Sequence, residues 1–278
     1  MRTLFLGVCA VSLVGCLNTS TVIRVAPDGS GTIEQTLLFN PKSIENAFAS
    51  MGMKPTGQSS TSEKNPIDAE AMKKAAEELG NGVTLVSVTP VKQPSGFEGV
   101  TARFRFDDIG KLQTEDLLMP TPAKQAAPGG GADSGKGHNR IAFTLTRGAG
   151  GTSVLTATFD ESKDGKGIKK AEKGSGKSGP NLDDPEMAQM IKTLFKGFRI
   201  GVDLEVVGQI VKTDADYVNG KRITLAEIDV EQLLAEGKKL ESLEKVLSPD
   251  ASIAEVRPYL KDVKGLKINK PVVTIEFR

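Results

Sequence analysis

Thr21-Val22-Ile23-Arg24-Val25, then Pro27-Asp28-Gly29-Ser30-Gly31, then Thr32-Ile33-Glu34-Gln35-Thr36-Leu37-Leu38-Phe39 is the stretch whose reading decides the fold. Two runs rich in β-branched residues flank a segment of Pro, Asp, Gly and Ser, which is the composition of a β-hairpin. Side chains alternate faces along a strand. Ile33, Leu37 and Phe39 therefore share one side, expected to be buried, and Thr32, Glu34 and Thr36 share the other.

Downstream, the same alternation returns at intervals. Val83–Val91 and Phe97–Phe106 form a second strand pair, with Val100, Ala102, Phe104 and Phe106 alternating against Thr101, Arg103 and Arg105. Arg140–Arg147 and Thr152–Phe159 form a third, joined by Gly148-Ala149-Gly150-Gly151. Residues 198–213 read as one long strand bent at Gly208, followed by a tight turn at Val218-Asn219-Gly220-Lys221 and a return strand from Arg222. Val272–Phe277 is a closing strand.

Helical spacing appears between these strands. Ile44, Ala47, Phe48 and Met51 predict a helix after Pro41, and Ala71, Met72, Ala75, Ala76 and Leu79 a helix that Asp68 caps and Gly80 stops. Asp184-Pro185 opens a third, with Met187, Met190, Ile191, Leu194 and Phe195 as its stripe. Asp229 caps a fourth, and a short one falls within 249–261. Residues 52–66 read as a loop, and 120–138 and 161–182 as two long flexible insertions poor in apolar residues. The strands follow hairpin order with no βαβ period and no internal repeat. The expected class is α+β: an antiparallel sheet of hairpins with several packing helices and two insertions.

Working towards the N-terminus, Arg2 precedes an apolar run from Leu4 to Val14. That run is too short to cross a bilayer, which takes roughly 20 residues, and has the form of a signal peptide. It closes on Leu13-Val14-Gly15-Cys16, which resembles the lipobox of bacterial lipoprotein precursors. The resemblance implies cleavage before Cys16, a diacylglycerol on its thiol and an acyl chain on its new amino group. More than one chain is what stable anchoring requires. Cys9, in mid-run behind Gly7-Val8, is a poor processing site. The expected organisation is a removed leader at 1–15, a lipidated tether at 16–20 and an envelope body at 21–278. Leu17 after the cysteine, with no Asp there, resembles the pattern that sends lipoproteins to the periplasmic face of the outer membrane in a Gram-negative host.

Composition narrows the function classes. The chain has 36 basic and 35 acidic residues, and losing Arg2 with the leader leaves the signs balanced. No basic footprint points to nucleic acid. With Cys9 removed and Cys16 acylated, no thiol remains for disulfides, catalysis or metal. His138 is the single histidine, beside Lys136 and Asn139 in a Gly-rich segment, an unpromising base for a triad.

Gly174-Ser175-Gly176-Lys177-Ser178 ends like a phosphate-binding loop, but Ala171 stands where the first glycine belongs and Gly179-Pro180 blocks the helix. Asp214–Gly220 hints at a calcium loop, yet its glycine is a place late and Leu225 stands where glutamate is needed. The pairs Asp107-Asp108 and Asp183-Asp184 fall at a strand end and a helix start, where capping accounts for them. No catalytic, cofactor or metal residue is assigned, and the expectation is a protein that is not an enzyme.

The hairpin around Asp28-Gly29-Ser30-Gly31 directly after the lipobox, the bend at Gly208, the Asn219-Gly220 turn and the closing Val272–Phe277 strand resemble a group of bacterial envelope lipoproteins related to mycobacterial LppM. The likeness covers about a third of the chain and rests on turn signals. The chain departs from that group at Val207-Gly208, where relatives show Pro-Gly, at Leu225, where they carry Trp, and in lacking the C-terminal membrane helix of some. The resemblance implies an α+β envelope domain that binds lipid or another envelope component, without a known active site.

The functional expectation is a membrane-anchored, non-enzymatic binding or structural module whose partner is an envelope protein or lipid. The alternative is a carrier of a lipid or other amphiphile in a groove between sheet and helices. Lys163, Lys166, Lys169, Lys170, Lys173 and Lys177 form either a solvated linker or a contact with anionic headgroups.

Overall fold

The computed structural model describes residues 17–42, 69–114, 140–160, 197–235 and 253–278. The two insertions, the helices expected after Pro41 and at 184–195, and the loop at 52–66 lie outside the described residues.

The opening hairpin forms as its sequence dictates. Strands β1 (Leu17–Val25) and β2 (Gly31–Phe39) pair antiparallel, Ile23 opposite Ile33. In the turn Gly29 takes φ +92°, and the Asp28 carboxylate accepts from the Ser30 amide and hydroxyl at 2.9 and 2.7 Å. Ile33 and Leu37 are buried as their parity requires, while Phe39 is only half-buried, and Gln35 joins the buried side in its place.

The second pair is β3 (Thr84–Lys92) and β4 (Glu98–Phe106), with Val100, Ala102, Phe104 and Phe106 all buried. A third pair, β5 (Arg140–Arg147) and β6 (Ser153–Asp160), begins a separate sheet. The remaining strands are β7 (Arg199–Val206), β8 (Ile210–Thr213), β9 (Val218–Asn219), β10 (Arg222–Asp229), β11 (Leu266–Ile268) and β12 (Val272–Phe277). Eight of the twelve strands make a large sheet in the order β11-β10-β7-β1-β2-β4-β3, with β9 also on β10, and four make a small sheet, β5-β6-β12-β8.

The sheets share one core. Ile23, Ile33, Phe104, Phe106, Val202, Leu204 and Ile223 of the large sheet belong to the same buried cluster as Ile141, Leu155, Val273, Ile275 and Phe277 of the small one. Helix α1 (Ala69–Glu78) adds Met72, Ala75 and Ala76, and Leu79 follows just beyond it. These are four of the five residues its spacing predicts; the Ala71 side chain and the expected cap Asp68 lie outside the described residues. The short helices α2 (Val230–Ala235) and α3 (Ile253–Leu260) sit by a satellite cluster of Leu260 and Val263, with Leu233, Leu266 and Ile268 against it. The Asp229 cap is in place, its carboxylate accepting from the Gln232 amide at 3.1 Å.

Three expectations are corrected. The fold is strand-dominated with few helices among the described residues, and its large sheet is mixed: β1 runs parallel to β7 from Asn18–Arg199 to Val25–Val206. Such a neighbour, far along the chain, leaves no mark on local alternation. The 198–213 run is two strands in different sheets, because Gly208 at φ +133° turns the chain out of the large sheet after Val206. Finally, Leu17–Ser20, expected as part of the tether, already belong to β1. Leu17 pairs with β2, and from Asn18 onward β2 lies on one side and β7 on the other, with Thr19 buried.

Candidate functional site

The face of the large sheet turned away from the core carries most of its ionic side chains. On β4, β2, β1, β7 and β10 these are Arg103, Glu34, Arg24, Glu205 and Arg222, each from the polar half of an alternating strand. Register brings them together: Glu34 lies opposite Arg103, Arg24 opposite Glu205, and Glu205 opposite Arg222.

The result is a ladder of alternating sign. Arg103 Nη2 reaches Glu34 Oε2 at 2.9 Å and Arg24 Nη1 reaches the same oxygen at 3.3 Å. Arg24 Nε then bridges to Glu205 Oε1 at 3.6 Å, and Arg222 Nη2 to Glu205 Oε2 at 2.9 Å. Asp203 ends the run, accepting from the Thr224 hydroxyl at 2.7 Å. A second cluster has Glu227 between Arg199 at 2.6 Å and Lys267 at 2.9 Å. Between the rows, the hydroxyls of Thr36 and Thr101 bond at 2.9 Å.

These contacts favour the ionised form of Glu34 and Glu227. The Arg103 hydrogen bond draws Glu34 below the usual glutamate range, and with the Arg24 charge it outweighs the opposing effect of burial. Burial acts most strongly on Glu227 and pushes it up, but the bonds from Lys267 and Arg199 and their charges prevail and leave it low. Glu227 in turn raises Arg199. A carboxylate kept this acidic is a poor general acid or base near neutrality. The face offers a partner oriented donors and acceptors with little net charge.

Other polar groups have structural duties. Asp108 caps a 3₁₀ turn by accepting from the Gly110 amide at 2.9 Å. Asp214 accepts from the Thr274 amide at 2.8 Å, and Asp216 pairs with Arg257, so the calcium-like segment is committed to protein partners. No group of three or more His, Cys, Asp or Glu among the described residues is placed to hold a metal ion. On the inner face, Thr19, Thr21 and Gln35 are buried polar residues, and the Thr19 hydroxyl has no hydrogen-bond partner.

Of the residues singled out from sequence, Leu13, Val14, Gly15, Cys16, His138 and the lysines at 163–177 lie outside the described residues. What sequence reasoning missed is the ladder. Its members were visible as polar parity on separate strands, but the order of the strands, and so the pairing, was not.

No helix among the described residues is long and apolar enough to cross a membrane. No protein-family model matches the chain, and no curated protein does. Among solved structures, the NMR structure of the folded domain of LppM from Mycobacterium tuberculosis is similar at 10% identity, over 95% of this chain and 90% of that one, with a TM-score of 0.32. It belongs to the lipoprotein group that the turn motifs resemble, at a similarity too low to establish a shared fold or role.

Proposed function

We propose that this protein is a lipid-anchored module of the bacterial cell envelope that binds a partner without catalysing a reaction. The observation that carries the reading is the Leu13-Val14-Gly15-Cys16 motif, which closes a short apolar run behind Arg2. Acylated Cys16 then holds the body at the membrane, on the periplasmic face of the outer membrane if the host is Gram-negative. The binding surface is the outer face of the large sheet. Its support is the ion ladder over five strands, whose side chains hold one another in fixed hydrogen bonds and ion pairs.

Intact-mass measurement tests the anchor. Protein taken from membranes should begin at Cys16 with its acyl chains, and Cys16→Ser protein should lose both lipid mass and membrane retention. Lipid mass unchanged in the variant would overturn the reading.

The carrier reading has one observation in its favour. The Thr19 hydroxyl, 1% exposed and unpartnered, is a polar group that a ligand could satisfy. Against it, Met72, Ala75, Ala76 and Leu79 fill the seam between α1 and the core with the chain's own side chains. Native mass spectrometry of protein purified from cells separates the two: a stoichiometric protein favours the module, and a co-purified lipid the carrier.

A further inference from the structure

From the register of the large sheet we infer that its outer face carries a groove, running across the strands, that binds an uncharged glycan chain. The inference rests on the outer face being the binding surface and names what that surface takes.

Pairing lines up one row of short side chains. Thr89 of β3 lies opposite Thr101 of β4, Thr101 opposite Thr36 of β2, Thr36 opposite Ser20 of β1, and Ser20 opposite Gly201 of β7. All five have the parity of the outer face, since Thr36 and Gly201 stand two residues along their strands from Glu34 and Asp203. Neighbouring strands are spaced about 4.8 Å apart, so this floor runs roughly 19 Å. Gly201 shows that it is open. A Cβ there would meet no atom within 4 Å, and its φ lies outside the left-handed region, so the backbone makes no demand for glycine.

The rows on both sides stand higher. On one side are Arg103, Glu34 and Asp203. Val22, between Glu34 and Asp203, is 7% exposed although it faces outward, so the ladder's side chains stand over it. On the other side Leu38, the next outward residue after Thr36, is 2% exposed, so that row is covered as well. Arg199, two residues before Gly201, reaches Glu227, which lies opposite Gly201 and closes that end of the floor. Short side chains between taller rows make a groove one row wide.

The floor presents hydroxyls and no charge. Thr36 and Thr101 bond to each other at 2.9 Å, and the hydroxyls of Ser20 and Thr89 have no protein partner among the described residues. They are free to donate and accept. The cations along the walls are already matched, Arg103 by Glu34 at 2.9 Å and Arg199 by Glu227 at 2.6 Å. A polyanion would face Glu34, Asp203 and Glu227, and a polycation would face Arg103 and Arg199, neither meeting a surplus of the opposite sign. A peptide would find no free strand edge for main-chain pairing and, on a floor of Thr, Ser and Gly, no apolar pocket for an anchoring side chain. A sugar chain finds what it needs: donors and acceptors in a line, held in place by ion pairs, so that little ordering is left to be done on binding.

The test is titration calorimetry on the acylated full chain in a sugar-free detergent, with chitohexaose and maltohexaose as uncharged chains with and without amide groups, and heparin as a polyanion. Saturable binding of at least one uncharged oligomer is expected. Gly201→Phe fills the groove and should weaken that binding at least about tenfold; Ser20→Phe takes its place if that variant fails to fold. Thr144→Phe, exposed on the small sheet, should leave binding unchanged. Failure of both oligomers to bind at millimolar concentration, equal binding by wild type and groove variants, or tighter binding of heparin than of either oligomer overturns the glycan groove. Native mass spectrometry then separates it from the broader reading. With no oligomer bound, a protein partner displaced by Gly201→Phe keeps the outer face as the binding surface and overturns the glycan alone, whereas a partner retained by both Gly201→Phe and Arg24→Glu overturns the surface and this inference with it.

Discussion

Thr19 and Glu34 sit on β1 and β2 on opposite faces of the sheet, and each makes a sharp prediction. The Thr19 hydroxyl is buried without a partner and bears the cost of lost hydration with nothing in return. Thr19→Val keeps the shape and removes that cost, so denaturant unfolding should show a gain of about 1 kcal/mol. If the carrier reading holds, the same variant instead co-purifies with less lipid. Glu34 has a folded-state pKa below its ordinary value, through the Arg103 bond and the Arg24 charge working against burial. A depressed carboxylate contributes stability that is present above the unfolded pKa of about 4.3 and is lost as pH falls through the lower folded value. Glu34→Gln should therefore lower the unfolding midpoint at pH 7, and its difference from the wild type should shrink as the pH falls below the ordinary glutamate range.

At the scale of elements, the sharpest test lies between β7 and β8. Gly208 has φ +133°, and a Cβ there would collide with the carbonyl of Arg278, whose amide and carbonyl pair with Gln209 at 3.1 and 2.8 Å. Gly208→Ala should cost about 2 kcal/mol or more, read from thermal or denaturant unfolding, since neither the dihedral nor the neighbouring backbone can give. Asp229→Ala should cost about 1 kcal/mol by uncapping α2. The Asp229 cap and the Asn219-Gly220 turn were legible because each is decided within a few residues. The Gly208 bend was legible as a bend only. That it passes the chain from one sheet to the other depends on Arg278 and β12, some seventy positions away in the sequence.

For the molecule as a whole, the chain crosses repeatedly between the sheets and both bury one core, so the two are expected to unfold together. Asn269, fully buried where β11 gives way to β12, binds the crossing through its amide to the Leu225 carbonyl at 3.0 Å and its side chain to the Thr224 carbonyl at 3.0 Å. Phe277 is fully buried in the shared core. Phe277→Ala should cost about 3–5 kcal/mol and, in native-state hydrogen exchange, speed exchange of the slowest amides in both sheets together. An effect confined to the small sheet would show that the two are separate cooperative units.

The sequence by itself determined what is local. The hairpin over 21–39, the strand pairs at 83–106 and 140–159, the buried stripe of α1 and the turn at Asn219-Gly220 each follow from alternation, helical spacing or turn chemistry within about twenty residues. Only the tertiary structure decided the parallel β1–β7 pairing, the division of 198–213 between two sheets, the inclusion of Leu17–Ser20 in β1 and the ion ladder. The physical reason is common to all four: each depends on which strand lies beside which. That choice is made by burying one shared core, and alternation within a strand says which way a side chain faces but not what it meets there.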